Sequence, residues 1–232
     1  MSAKPGIGIQ TPKTMAFELR NAVFPILPLS PDADRPPRVY CDPGDQGSAF
    51  FISRDGLFLT AKHVVGRWST NSYVVMAFDY RLKGHKDCRV QELERHPEMD
   101  IAIGIAQQPG PVGWLPFKLG GSRIGVGSAV FTFGYANSKA SPLPDPEGPR
   151  HLDEALTLDF YPRKHAGHVV QHLPGWPTLN APCYVVSCDP GGGISGAPLI
   201  RKRTGSVHGM FNTGIPASEG AALRAGSHWT SP

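Results

Sequence analysis

Apolar residues in this chain gather in short runs, and between the runs stand Gly, Pro, Asp and Asn. The segments 47–53 and 57–60 are two such runs, joined by Arg54-Asp55-Gly56. An Asp-Gly pair between apolar runs is a hairpin signal, because Gly adopts the positive φ that a tight hairpin turn needs. Further strands are expected at 74–78, 88–93, 101–106, 127–135, 154–160, 166–172, 183–188, 197–201 and 206–211. Short strands separated by frequent turn residues predict a barrel or sandwich, with no long helix. Residues 61–66 read as one short helical turn. Residues 17–24 are ambiguous between strand and helix, and 218–224 suit one or two helical turns. The proline-rich segments 25–45 and 137–150 read as irregular, exposed connections.

Composition agrees with that reading. Pro (24) and Gly (27) make up more than a fifth of the 232 residues, against a usual share of about 12%. The length suits one large core or two small ones sharing an interface. The best division is an arm and connection at 1–45, a first unit at 46–110 and a second at 111–232. No internal sequence repeat is visible.

Charge and cysteine content narrow the partners. The net charge is +4 and spread along the chain. The densest basic run, Arg201-Lys202-Arg203, lies between two apolar runs and reads as a hairpin turn. No nucleic-acid partner is expected, since that would need a larger patch with interleaved aromatics. No apolar stretch is long enough to span a membrane as a helix, so no membrane partner is expected. The first residues lack an apolar core before a cleavage site, which points to the cytoplasm. Cys41, Cys88, Cys183 and Cys188 allow three pairings. Without a secretion signal they are expected as free, mostly buried thiols. No metal or cofactor is implied: no His-Glu-x-x-His pattern occurs, and His165, His168 and His172 read as surface residues on a strand.

Three segments carry chemistry. In the first, the predicted hairpin ends at Thr60 and delivers His63 just past its second strand. A general base needs that setting, with rigid backbone behind it and solvent in front. In the second, Pro190-Gly191-Gly192-Gly193-Ile194-Ser195-Gly196-Ala197-Pro198 offers a hydroxyl flanked by glycines. Gly193 places an N–H toward a pocket without a Cβ in the way. Its amide and that of Ser195 together can receive a developing oxyanion. In the third, Asp100 precedes the apolar run 101–106, where a carboxylate can be held to fix a histidine tautomer.

These segments resemble the trypsin/chymotrypsin-like serine peptidases, most closely the bacterial trypsin-like and HtrA-like branches. The resemblance rests on Thr60-Ala61-Lys62-His63, on Asp100-Ile101-Ala102 and on Gly193-Ile194-Ser195-Gly196-Ala197-Pro198, in the order His, Asp, Ser, and covers about 45–215. It implies an all-β fold of two six-stranded antiparallel β-barrels packed face to face. The first would carry His63 and Asp100, the second Ser195. It implies a serine endopeptidase acting on protein or peptide substrates through an acyl-enzyme. His63 would be base and then acid, Asp100 its orienter, Ser195 the nucleophile, and Gly193 and Ser195 the oxyanion donors. Asn212, Thr213 and Gly214 would run beside the bound peptide, and Asp189 would select a basic residue at the cleaved position.

The chain departs from the family at several points. Gly191 stands where secreted members have cysteine. The loop before Ser195 is two residues longer than the HtrA-like form. Ile194 replaces the Asp that secreted digestive members use to bind a new amino terminus, so activity without that kind of trimming is expected. Too few residues follow Gly214 for a PDZ domain. Other readings stay open at this level: a peptide-binding module that does not cut, a hydrolase of other acyl groups, or a self-processing or partner-specific peptidase. The oligomeric state is not legible.

Overall fold

The computed structural model describes residues 19–28, 46–66, 73–79, 84–107, 114–135, 139–142, 156–174, 181–188, 193–215 and 223–227. Twelve of its strands form two closed barrels. The first holds β1 (Val23–Pro28), β2 (Gly47–Phe51), β3 (Leu57–Thr60), β4 (Tyr73–Asp79), β5 (Gly84–Arg95) and β6 (Ala102–Ala106), in the order β1-β2-β3-β6-β5-β4. The second holds β7 (Ala129–Tyr135), β10 (Pro162–Leu173), β11 (Cys183–Val186), β12 (Pro198–Arg201), β13 (Val207–Ile215) and β14 (Leu223–Ser227). Its order is β7-β10-β11-β14-β13-β12. Two further strands, β8 (Lys139–Pro142) and β9 (Leu156–Asp159), pair with each other and continue the β7–β10 hairpin outward. All pairings between strands are antiparallel, as expected for strands whose faces alternate between a core and solvent.

The barrels share a core. Phe24, Phe50, Phe51 and Phe58 of the first barrel cluster with Phe131, Phe133, Tyr135, Val207 and Met210 of the second. Phe51 stacks on Trp114 of the connecting segment, with ring centroids 4.3 Å apart. The inner residues of the second barrel, among them Val130, Val186, Ile194, Leu199 and Phe211, form a separate cluster.

The structure corrects three expectations. Residues 23–28, read as the end of an ambiguous element and the start of an irregular connection, form β1 and close the first barrel. Residues 19–22 just before it are helical. Pro25 is tolerated because β1 pairs there only with β2 (Pro25 opposite Ser48), and pairing with β4 begins at Ile26. Residues 139–142, read as loop, are strand β8. The end of the segment read as helical belongs to β14, where pairing with both β11 and β13 overrides local preference. The expected turn after β3 is present as a 3₁₀ helix, η1 (Lys62–Val65).

Cys88, Cys183 and Cys188 are buried, and Cys41 lies outside the described residues. His165, His168 and His172 all lie on β10. His168 is exposed and bonds Ser187, whereas half-buried His172 bonds the Ile124 carbonyl. No helix among the described residues is long and apolar enough to cross a membrane.

Candidate active site

Strand register brings the first two candidates together. β3 and β6 are antiparallel neighbours with Thr60 opposite Ala102. His63 follows the end of β3 and Asp100 precedes the start of β6, so both stand at the same end of the pair. The η1 turn then presents Asp100 with two donors from one residue. The His63 amide donates to Oδ1 (2.8 Å) and the His63 ring meets Oδ2 through Nδ1 (2.7 Å). The His63 side chain is 48% exposed and that of Asp100 13%. The imidazole therefore faces outward while the carboxylate sits behind it.

Two side chains, Lys62 and Arg95, tie the two supporting segments to each other, and a third, His96, orders the loop before Asp100. Lys62 donates through Nζ to the carbonyls of His96 (2.8 Å) and Pro97 (3.0 Å). Arg95 donates through Nε to the Val65 carbonyl (2.8 Å) and through Nη2 to the same oxygen. His96 accepts the amides of Glu98 and Met99 on Nδ1, at 3.2 and 2.9 Å. Each satisfies backbone groups of a loop that no ladder satisfies.

The second barrel supplies the rest from the ends of β12 and β13. Pro198 lies opposite Met210, so Ser195 and Asn212 stand at one end of that pair. The Asn212 side chain crosses to the first barrel, donating through Nδ2 to Oδ2 (2.9 Å) and to the backbone carbonyl (2.7 Å) of Asp100. The backbone carbonyl of Asn212 accepts the Ser195 hydroxyl at 3.2 Å. His63, Asp100, Asn212 and Ser195 thus form one connected chain of hydrogen bonds. Among the described residues no hydrogen bond joins Ser195 directly to His63. Asn212 is buried, and its side chain is committed to Asp100.

The loop around Ser195 is tightly determined. Gly193 and Gly196 have φ of +82° and +86°, a region where side chains are strained. A Cβ on Gly196 would lie 2.0 Å from the Ser48 carbonyl. The Gly196 amide donates to Phe211 O (2.6 Å) and that of Ala197 to Ile194 O (2.9 Å). Ile194 is buried, and a Cβ on Gly134 would meet its Cδ1 at 2.5 Å. Asp189 lies outside the described residues. Thr213 and Gly214 continue β13 and pair with β14. Among the described residues no cluster of His, Cys, Asp or Glu is arranged to hold a metal.

Residues 47–210 match the trypsin-like peptidase domain family, well over half of the chain. The chain belongs to that family. No curated protein matches it significantly by sequence. Among solved structures it is similar to the active form of the Rv3671c protease from M. tuberculosis. That match has a TM-score of 0.58 at 20% identity and covers 98% of this chain and 87% of that one. It is also similar to the MamO protease domain from Magnetospirillum magneticum, with TM-score 0.61, 16% identity and coverage of 92% and 94%. A third is Deg5, with TM-score 0.55, 18% identity and coverage of 87% and 83%. At these identities the likeness is one of fold. This trypsin-like peptidase therefore has the two-barrel, chymotrypsin-like architecture, and its substrates are proteins or peptides.

Sequence reasoning did not reach the support of the site. Nothing local marks Lys62, Arg95 or His96 as loop clamps. Asn212 was reached as a neighbour of the substrate, not as a partner of Asp100. For Ser48 the sequence shows only a hydroxyl residue just before the apolar run Ala49-Phe50-Phe51, which marks a polar position in a strand but not its partner.

Proposed function

We propose that this peptidase is a serine endopeptidase with His63, Asp100 and Ser195 as its catalytic residues. The observation that carries the reading is the 2.7 Å contact between His63 Nδ1 and Asp100 Oδ2, placed where the Ser195 loop meets the first barrel. An ionised carboxylate only accepts hydrogen bonds, so Nδ1 carries the ring proton and Nε2 is left as the base. The Ser195 hydroxyl rests on the Asn212 carbonyl at 3.2 Å, long for an O–H···O bond. In this reading the hydroxyl leaves Asn212 for Nε2 when substrate binds, since catalytic hydrogen bonds often form fully only in the complex.

In the reaction, Ser195 Oγ attacks the scissile carbonyl as His63 takes its proton. The oxyanion is received by the amides of Gly193 and Ser195, neither of which donates a hydrogen bond among the described residues. His63 then protonates the leaving amine, and water releases the acyl group by the same path in reverse. Asp100 stays ionised and stabilises the imidazolium.

The test is labelling with a fluorophosphonate, read by intact mass. The expected result is one adduct on the parent, none on Ser195→Ala and much slower labelling of His63→Ala. Folded parent protein that takes no adduct would overturn the reading in favour of peptide binding without cleavage.

A further inference from the structure

Several buried polar side chains have no part in the steps above. Thr204, Ser206 and His208 form a closed chain that ends on the Ser122 carbonyl, packed under Gly120. That chain satisfies itself and points at nothing. The Thr132 hydroxyl is buried in β7 without a partner. Ser48 differs from these, because both its backbone and its side chain hold the loop that carries the proposed nucleophile.

We infer that Ser48 is a positioning residue for Ser195, a strut from the first barrel that sets the nucleophile loop against His63. Ser48 is fully buried in β2. Its amide donates to the Ser195 carbonyl at 2.7 Å. Its hydroxyl donates to the Gly193 carbonyl at 3.3 Å and accepts the Tyr135 amide at 3.0 Å. Its own carbonyl accepts the Thr60 hydroxyl at 2.8 Å, which ties the strut to β3 just before His63. One residue therefore grips the carbonyls on both sides of the Ser195 amide. The carbonyl between them, that of Ile194, is held by the Ala197 amide. In a trans peptide the N–H points opposite to the C=O, so the Ser195 N–H is directed away from Ala197.

Space around the strut is closed as well. A Cβ on Gly134 would lie 2.9 Å from the Ser48 hydroxyl, and one on Gly47 would lie 3.0 Å from the Ser195 carbonyl. The hydroxyl is the part of the strut that substitution can remove. In Ser48→Ala the Gly193 carbonyl loses its donor and the buried Tyr135 amide its acceptor. A misplacement of about 1 Å at a reacting centre can slow chemistry by about 100-fold. The inference rests on the serine endopeptidase reading.

The test compares saturation kinetics of fluorophosphonate labelling in the parent, Ser48→Ala, Ser48→Cys and Thr132→Val. The expected result for Ser48→Ala is a maximal labelling rate lower by about 10- to 100-fold, with an unchanged half-saturating concentration. Ser48→Cys fills the same space but donates weakly, and is expected to fall between parent and Ser48→Ala. Thr132→Val, which removes an equally buried hydroxyl that does not touch the loop, is expected to label at the parent rate. A merely structural role lowers the fraction of molecules labelled and leaves the rate constant of the rest unchanged. That result, or parent-like kinetics in Ser48→Ala, would overturn the inference while leaving the endopeptidase reading intact. A folded parent that takes no label would overturn both.

Discussion

Asp100 accepts hydrogen bonds on both carboxylate oxygens and on its backbone carbonyl, from His63 and Asn212. This concentration of donors holds a charged group in one orientation with little water around it. Asn212→Ala removes two of those bonds. Its expected effect is a loss of about 1–3 kcal/mol of stability, typical for hydrogen bonds to a charged group, with slower fluorophosphonate labelling. Thermal unfolding beside labelling rates checks both. Cys183 shows the opposite use of burial. Its thiol donates to the Ala181 carbonyl (3.1 Å) and is pushed by desolvation from 9.0 to about 11. The folded state therefore keeps the thiol proton where the unfolded chain releases it. The thiol's contribution to stability is full below pH 9 and is lost as pH rises through 11. At pH 8 iodoacetamide is expected to modify Cys183 only after denaturant is added, as peptide mapping would show. Alkylation of the native protein at that position would refute it.

At the scale of elements, each candidate residue was legible through its own turn. The hairpin ending at Thr60, the apolar run after Asp100 and the glycines around Ser195 are local patterns, and local patterns survive translation into structure. Gly196 shows why. Its positive φ and the 2.0 Å approach to the Ser48 carbonyl leave no space for a side chain. Gly205 also has a positive φ (+69°), but nothing stands within 4 Å of its missing Cβ. Gly205→Ala is expected to cost only the backbone term, about 1–2 kcal/mol. Gly196→Ala is expected to cost more and to abolish labelling, since the loop must move off Ser48. Denaturant midpoints of the two variants make the comparison. The same contrast explains the misread elements. β1 and β14 lack a strand's local signature and exist because each lies between two neighbours in a closed barrel.

Across the whole molecule, both barrels use one strand order. Numbered within its own unit, each runs 1-2-3-6-5-4, yet the two halves share no visible sequence repeat. The constraint they share is alternation, which many sequences satisfy. The site lies at the seam, held by reciprocal struts: Asn212 reaches from the second barrel to Asp100, and Ser48 from the first to the Ser195 loop. Closure of the first barrel depends on β1, whose Val23, Phe24, Ile26 and Leu27 are buried. A chain shortened to begin at Gln46 is expected to lose cooperative unfolding and near-ultraviolet dichroism. A native-like spectrum would show that β1 is dispensable. Ile194 bears on activation at the same scale. It is anchored in the apolar core of the second barrel, where an ion pair to a freed amino terminus has no place. Labelling competence is expected in the untrimmed chain, checked by intact mass on the labelled species.

What the sequence determined by itself is the set of groups with their own local signature. These are the all-β class, the turn after β3, and the three segments bearing His63, Asp100 and Ser195. Each depends on residue type and near neighbours, through turn chemistry, alternation and glycine's freedom at positive φ. What the tertiary structure decided is everything that depends on register between distant strands. Thr60 opposite Ala102 sets His63 beside Asp100. Pro198 opposite Met210 sets Asn212 beside Ser195. Pairing across the seam turns Ser48 and Asn212 from ordinary buried polar residues into supports of the site. Such contacts join residues a hundred or more positions apart, and no local pattern encodes a partner at that distance.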